Sequence, residues 1–466
     1  MNAAQKSFGF PKPDGHLLSH WLQDAESDLL LNHHTTPELP TSVDIVVIGS
    51  GMTGTLVAKH CVDTWAEKSV LILEARGFCS GATGRNAGHC KPDQWRGFVN
   101  YEKAFGTQQA LKILQNEQRT WSELVAYVRE NDVDCDLWVG DTLDVPVTPE
   151  VADVAKNHFE RFKAAGGKVD HIRVTHDPTE AVKLSRIKDA QACYAWPAST
   201  LHPWKLSAHI MHENLKKGVN LQTHTKATRI VQSPRGAEKW IVGTERGEVE
   251  CSHVVHATNA YSSALEPSLR GVITPSPHMC NKVIPPVSFT GSKGITNSYG
   301  VLLPNGGLFS INPRVTTQGP VLFGGLNPGQ QEFEKWLQDH PERCTDDDLP
   351  GFKPVTEAVK SFAESQLTGW ASSYTSEADY SHKWSGIIGL SADGVPFIGQ
   401  LPGLPGQWIC AGHHGHGMAR IFTAAPGLVK LMGGSSWADT QLPEVYEINP
   451  SRIKRLRRCL EAFPHI

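Results

Sequence analysis

Residues 49–54 read Gly49-Ser50-Gly51-Met52-Thr53-Gly54, a Gly-x-Gly-x-x-Gly turn. It stands between a β-branched run, Val43–Ile48, and a stretch with helical character, Thr55–Thr64. A second apolar run, Val70–Leu73, ends at the acidic Glu74, so the segment opens as strand, turn, helix, strand. In such a unit Gly49 permits the sharp turn, Gly51 lets a pyrophosphate approach the backbone, and Gly54 lets the helix pack closely on the strand. The helix N-terminus turns unpaired N–H groups toward the phosphates. Glu74 accepts hydrogen bonds from both ribose hydroxyls and repels a 2′-phosphate, so FAD or NAD fits and NADP does not.

A chain of 466 residues has room for two or three domains. Its 13 Trp and 16 Phe, with only 20% charged residues, support a large core and exclude intrinsic disorder. The 44 Lys and Arg against 48 Asp and Glu give a net charge of −4, which argues against a nucleic-acid partner. Residues 395–419 carry no charged side chain, but they hold nine Gly or Pro and three His, so no membrane span is expected there. The first 20 residues show no secretory h-region, and the last residues, Phe463-Pro464-His465-Ile466, are not a peroxisomal address. Ten Cys are scattered without a Cys-x-x-Cys pair, which suits free thiols in a reducing compartment. A cytoplasmic protein, monomeric or a small homo-oligomer, acting on a small molecule is the expectation.

Along the chain, Leu17, Leu18, Trp21 and Leu22 predict a short docked helix before the loop at 35–40. Residues 107–130 predict a long helix capped by Thr107, and 150–165 another, stopped by Gly166-Gly167. Residues 239–256 read as a hairpin turning at Arg246-Gly247 and running into Ala257-Thr258-Asn259-Ala260. The Gly- and Pro-rich stretch 270–330 predicts short strands. The tail 451–463 predicts a basic amphipathic helix with Ile453, Leu456, Leu460 and Phe463 on one side.

FAD is favoured over NAD by what lies beyond the first turn. A second Gly-rich segment, Ser80-Gly81-Ala82-Thr83-Gly84-Arg85-Asn86-Ala87-Gly88-His89, offers backbone and the donors Thr83, Arg85 and Asn86 to an extended ligand. Near the C-terminus, Asp393-Gly394-Val395-Pro396-Phe397-Ile398-Gly399 precedes a strand, Trp408–Ala411. That strand leads into Gly412-His413-His414-Gly415-His416-Gly417-Met418 and a helix whose N-terminus suits the negative pyrimidine edge of a reduced flavin. The three histidines lack the spacing of a zinc or iron site, so no metal is expected. Gly389-Leu390-Ser391-Ala392-Asp393 misses a nucleophile elbow at its last position, and no P-loop is present.

These blocks resemble the FAD-dependent oxidoreductase family that includes D-amino-acid oxidase, glycine oxidase, sarcosine oxidase and γ-glutamylputrescine oxidoreductase. The residues at 35–40 with Gly81–His89 are especially similar to a fungal-type subgroup. The resemblance implies an α/β FAD-binding domain of the Rossmann-like, glutathione-reductase type and an α+β substrate domain with an antiparallel sheet. The expected division is an N-terminal extension, 1–40; a discontinuous FAD domain, 41–101 with 196–265 and 385–440; a substrate domain, 102–195 with 266–384; and a C-terminal helix, 441–466. The cofactor-binding residues it implies are Gly49, Ser50, Gly51, Met52, Thr53, Gly54, Glu74, Ala75 and Arg76, then Ser80, Ala82, Thr83, Arg85, Asn86, Gly88 and His89. Ala227 as the backbone contact to adenine, Thr258, and Gly412, His413, His414, Gly415, His416, Gly417 and Met418 complete the set.

Members that attach flavin through a Cys carry it just before the Asp-Gly-x-Pro block, where this chain reads Lys383-Trp384-Ser385-Gly386. Non-covalent FAD is therefore expected. The family's Pro-x-Arg-Gly-like segment is replaced by Pro275-Ser276-Pro277-His278-Met279, so its substrate-side Arg does not transfer. His89, His278, Trp384 and His413 are the expected catalytic residues, and Arg314, Lys282 and Tyr261 are unranked candidates for a substrate carboxylate. The expected reaction is oxidation of a carbon–nitrogen bond of an amine or amino acid, with O2 or another acceptor reoxidising the flavin. Oxidation or cyclisation of a specialised-metabolite scaffold, and a non-catalytic flavin-binding protein, stay open at this point.

Overall fold

The computed structural model describes residues 9–13, 17–236, 238–317, 319–349, 351–370 and 378–462, with side chains as far as Cys459. Phe463 and the side chain of Leu460, expected on the apolar side of the tail helix, lie outside the described residues. The strands are β1 Ser42–Ile48, β2 Val70–Leu73, β3 His89–Cys90, β4 Trp138–Pro146, β5 Arg173–Thr175, β6 Cys193–Thr200, β7 Asn220–Gln222, β8 Ala227–Gln232 and β9 Trp240–Thr244. They continue as β10 Gly247–His256, β11 Ile273–Ile284, β12 Ser298–Leu302, β13 Leu308–Pro313, β14 Val321–Gly324, β15 Asp379–Ser391, β16 Phe397–Gln400 and β17 Gln407–Ala411.

Apolar–polar alternation is absent from the first two strands because both of their faces are covered. All of β2 and the last four residues of β1 are buried, as befits parallel strands between layers. β1 pairs parallel with β2 and with β10, and the sheet runs β16-β17-β10-β1-β2-β7, with β9 and β8 folded back on β10. The helix Met52–Thr64 packs against Pro203–Lys216 and Ile421–Met432 over this sheet, and its Leu56, Val57 and Cys61 join the largest core cluster. No helix among the described residues is long and apolar enough to cross a membrane.

The second sheet runs β15-β11-β14-β13-β12-β4-β6-β3, with β5 on β6. Its pairs are antiparallel except β4 with β12, which is parallel, so the sheet is mixed. The stretch 270–330 holds one long strand, β11, of 12 residues as well as short ones. Its prolines are accommodated at Pro275 and Pro277, which face β15 in register with Gly389 and Ile387.

Local expectations differ from the structure in two places. Thr107 is the first helical residue after Gly106, and its hydroxyl donates to Glu102 at 2.6 Å instead of capping the helix Thr107–Glu130. The hairpin turns at Glu245-Arg246, and Gly247 with φ of 138° already belongs to β10. The short N-terminal helix forms at His20–Asp24, where Ser19 accepts from Leu22 N–H. The ten cysteines are unpaired.

Candidate active site

One cavity of about 1310 Å³ opens between the two sheets. That exceeds the volume typical of a pocket for a single drug-sized ligand. It runs from the end of β2, past the start of the helix Met52–Thr64, to the turn at 413–418, and then over the face of the second sheet toward the helix Pro149–Ala164.

Its first end is built by local geometry. Gly49 has φ of +105°, and a Cβ there would sit 2.7 Å from Ala257 O. At Gly54 a Cβ would stand 1.9 Å from Gly49 O, so no side chain fits where the helix crosses the strand. Glu74 is held from both sides: one carboxylate oxygen accepts from Ser50 N–H and Oγ–H at 2.9 and 2.8 Å, the other from Arg76 N–H at 3.0 Å. Thr83 Oγ accepts from Met52 N–H at 3.0 Å, tying the second Gly-rich loop to the helix start. Ala227 and Lys226 line the same end.

The other end is the turn after β17. Asn259 Oδ1 accepts from Gly412 N–H and His413 N–H at 3.1 and 3.2 Å. Arg420 is fully buried: Nε donates to Glu117 at 2.9 Å, Nη1 to Gly394 O and His413 O at 3.1 Å each, and Nη2 to the Tyr101 hydroxyl at 2.8 Å. Glu117 also accepts from Asp93 N–H at 2.8 Å and lies 3.3 Å from His416 Nδ1. Burial alone raises the Glu117 carboxyl, but His416 and Arg420 outweigh it and hold it at about 2. Among the described residues no group of three or more His, Cys, Asp or Glu is arranged to share a metal ion, and the three histidines of the turn point to separate partners. His413 Nε2 lies 3.4 Å from Thr53 Oγ, His414 Nδ1 accepts from Ser391 N–H at 3.2 Å, and His416 meets Glu117.

Between the ends, the second sheet presents a row of small residues. Register places Gly324, Ser310, Gly300 and Asp144 side by side on β14, β13, β12 and β4, with Cys280 of β11 beside Gly324. Ser310 Oγ is 2.9 Å from His89 Nε2, while His89 Nδ1 is buried without a partner. Burial, followed by the nearby Lys91 and Arg314, pushes His89 down to about 3; burial pushes His278 to about 4; burial and then Arg420 push His413 to about 3. All three are neutral at pH 7.

Of the expected site residues, Gly49, Gly51, Met52, Thr53, Glu74, Ala75, Arg76, Ala82, Thr83, Arg85, Asn86, His89, Ala227, Thr258, His278 and His413–Met418 line this one cavity. Ser50, Gly54, Ser80, Gly88, Gly412 and Trp384 do not. Ser50 acts through Glu74, Ser80 Oγ donates to Gly77 O, and a Cβ at Gly88 would meet Trp21 and Leu201, away from the cavity. Trp384 is fully buried, with its indole N–H donating to Arg85 O at 2.8 Å, so the expected catalytic placement is corrected to a packing one. Two side chains expected to face a ligand are also engaged elsewhere. The guanidinium of Arg76 donates to both Asp347 oxygens at 2.7 and 2.9 Å, and that of Arg85 donates to Ser80 O, Leu17 O and Ser385 O at 3.0 to 3.1 Å. Of the carboxylate candidates, Tyr261 lines the cavity, whereas Arg314 pairs with Asp136 at 3.2 Å and neither it nor Lys282 reaches the lining. Sequence reasoning missed Asn259, Glu117, Arg420, Ser310, Lys91 and Arg96; only Glu117, a carboxylate in the helix Thr107–Glu130, carried a local signal, since it lies three residues after the apolar Leu114 and four before Trp121 on the buried side.

The features that accept a dinucleotide are thus present: a strand–turn–helix junction without Cβ atoms, a carboxylate held at the tip of the next strand, and a second turn pinned at the far end. Residues 44–432 match the family model described as FAD dependent oxidoreductase, DAO. The chain is 23% identical over 406 residues to gamma-glutamylputrescine oxidoreductase of Escherichia coli K12, covering 84% of each chain. Among solved structures it resembles glycine oxidase from Geobacillus kaustophilus, with a TM-score of 0.66, 17% identity and coverage of 88% of this chain and 99% of that one. It also resembles L-proline dehydrogenase from P. horikoshii, with a TM-score of 0.65, 18% identity and coverage of 90% and 99%.

Proposed function

Because the chain belongs to the DAO family of FAD-dependent oxidoreductases, we propose that it oxidises a carbon–nitrogen bond of a small amine or amino acid to an imine, which then hydrolyses. The observation that carries this reading is the single cavity joining Glu74, the turn at 413–418 and the small-residue face of the second sheet. Bound FAD would supply the two-electron acceptor, taking a hydride from the carbon that bears a neutral amine and passing its electrons to O2 or another acceptor.

In this reading the chain's own residues bind, orient and exclude water. The N-terminus of the helix Met52–Thr64 would hold the pyrophosphate, Glu74 the ribose hydroxyls, and Ala227 the adenine. The turn at 413–418, held by Asn259 and Arg420, would meet the pyrimidine edge. His413, His414 and His416 N–H already donate within the protein, so the N–H groups of Gly415, Gly417 and Met418 would be the ones to favour added negative charge there. His89, buried and held neutral at pH 7, lies with Nε2 2.9 Å from Ser310 Oγ and keeps a positive charge off the chamber wall, while the amine arrives already unprotonated. His278 and His413 keep the chamber neutral. No cysteine stands in the stretch just before the Asp393–Gly399 block, which reads Lys383-Trp384-Ser385-Gly386, and this supports non-covalent binding.

The division into a discontinuous Rossmann-like FAD domain and a substrate domain with a largely antiparallel sheet, at the boundaries given above, belongs to the same proposal. So do a cytoplasmic location and a monomer or small homo-oligomer. The test is anaerobic: a panel of amines and amino acids is mixed with the purified yellow protein. Bleaching of the flavin band by at least one of them, with a primary deuterium effect at the carbon bearing nitrogen, is expected. A product that keeps its nitrogen substituents and gains a double bond elsewhere refutes the reading.

A further inference from the structure

The outer half of the chamber holds charge that the chemistry proposed at the flavin end leaves unused. Asp144 is buried on β4, where Lys91 Nζ donates to it at 2.5 Å and Arg96 Nη1 lies 3.3 and 3.5 Å from its two oxygens. The other nearby carboxylate, Asp93, is occupied by the backbone N–H groups of Arg96 and Gly97 at 3.1 and 2.8 Å. Lys91 and Arg96 thus face the two carboxylates Asp144 and Asp93, a set without net charge whose most exposed member is the Arg96 guanidinium. The Arg96 side chain is 31% exposed and lines the cavity, and its Nε and Nη2 make no hydrogen bond to any described residue.

Gly300 is what brings this cluster to the ligand space. A Cβ at that position would stand 2.4 Å from Asp144 Oδ1, 2.9 Å from Lys91 Nζ and 3.3 Å from Arg96 Nη1. Asp144 lies two strands from Ser310 in the transverse row, which at the usual strand spacing is roughly 10 Å. The floor beside His89 is uncharged: Ser310, Gly324 and Cys280.

Resting on the proposed amine oxidation, we infer that the substrate carries an anionic group of the carboxylate class remote from the oxidised carbon, and that Arg96, backed by Lys91 and Asp144, binds it. An α-amino acid would place its carboxylate against the uncharged floor; an ω-amino acid or an amine ending in a distant acid spans the row. Arg96 suits the task because its planar fork keeps two donors for a carboxylate while a third meets Asp144.

The test uses octanoate and octanamide, which cannot be oxidised as amines, titrated into the FAD-loaded enzyme by calorimetry. Octanoate should bind about tenfold or more tightly than the amide. Arg96→Gln should erase that preference, and Arg96→Lys should keep part of it, with flavin content reporting that each variant is folded. Equal binding, binding of neither, or a preference that survives Arg96→Gln overturns the assignment. Anaerobic reduction gives the second arm: the ω-amino acid of eight carbons should reduce the flavin faster than the α-amino acid of the same length, and the reverse order overturns the remote placement. If neither reduces the flavin while the octanoate preference depends on Arg96, the anion site stands and the amine-oxidation reading falls.

Discussion

The nucleotide end of the cavity and its chamber over the second sheet are built in opposite ways. The nucleotide end comes from residues close in sequence: Gly49, Ser50, Gly54 and Glu74 complete one another's geometry within 26 positions. The chamber over the second sheet comes from residues far apart, Asp144, Gly300, Ser310 and Gly324, which only the pairing of β4 with β12, β13 and β14 sets side by side. A ligand recognised at the first end meets backbone; at the second it meets side chains, and these are free to differ between relatives with one fold.

That contrast can be broken at each end. The largest effect is expected from Gly51→Val, where even a Cβ would stand 3.2 Å from Thr83 Oγ. The branched side chain fills the approach to the helix N-terminus, so the purified protein should lack the visible flavin band and resist reconstitution with FAD. Glu117→Gln comes next. It leaves Arg420 buried without its counter-charge, a loss of about 3–5 kcal/mol when one partner of a buried pair is removed, read as a lower denaturant midpoint.

Acid should loosen both ends together. His413 on one side, and His89 and His278 on the other, are buried with pKa values of about 3 to 4 against 6.5 for the free side chain. Their neutral forms favour the folded state, so this stability is fully present above the unfolded value and is lost as pH falls from 6.5 toward 4 for His278 and toward 3 for His89 and His413. At about pH 5 the loss is on the order of 2 kcal/mol for each histidine, measurable as a drop in unfolding free energy from neutral pH. The smallest effect sharpens the comparison. Ser310→Ala removes one hydrogen bond to His89, worth about 1 kcal/mol, so flavin content should hold while anaerobic reduction slows severalfold.

How much was legible follows the same division. The turn at 49–54, Glu74, the strand ending at Ala411 and the helix boundaries near 130 and 164 could be read because each rests on a local pattern: a period, a glycine, an acidic residue at a strand tip. Arg85 and Trp384 misled because their partners lie about 300 positions away, and no spacing rule signals that a guanidinium will serve backbone carbonyls instead of phosphate. Arg96 and Asp144 carried no local mark at all. Their meaning comes from a parallel strand pair whose members are more than 150 residues apart, Asp144 beside Gly300.

Arg85 also sets a timetable. Its guanidinium closes on Ser80 O beside it, on Leu17 O before it, and on Ser385 O 300 residues later. At roughly 5–20 residues per second of synthesis, that last acceptor leaves the ribosome some 15–60 s after Arg85 does. Until then the second glycine loop is tied to segments made before or with it, through Thr83 to Met52 and through Arg85 to Ser80 and Leu17. The nascent chain can close the Arg85 contact across to β15 only once that strand has emerged, so the tie between the glycine loop and the second sheet is among the last that synthesis permits.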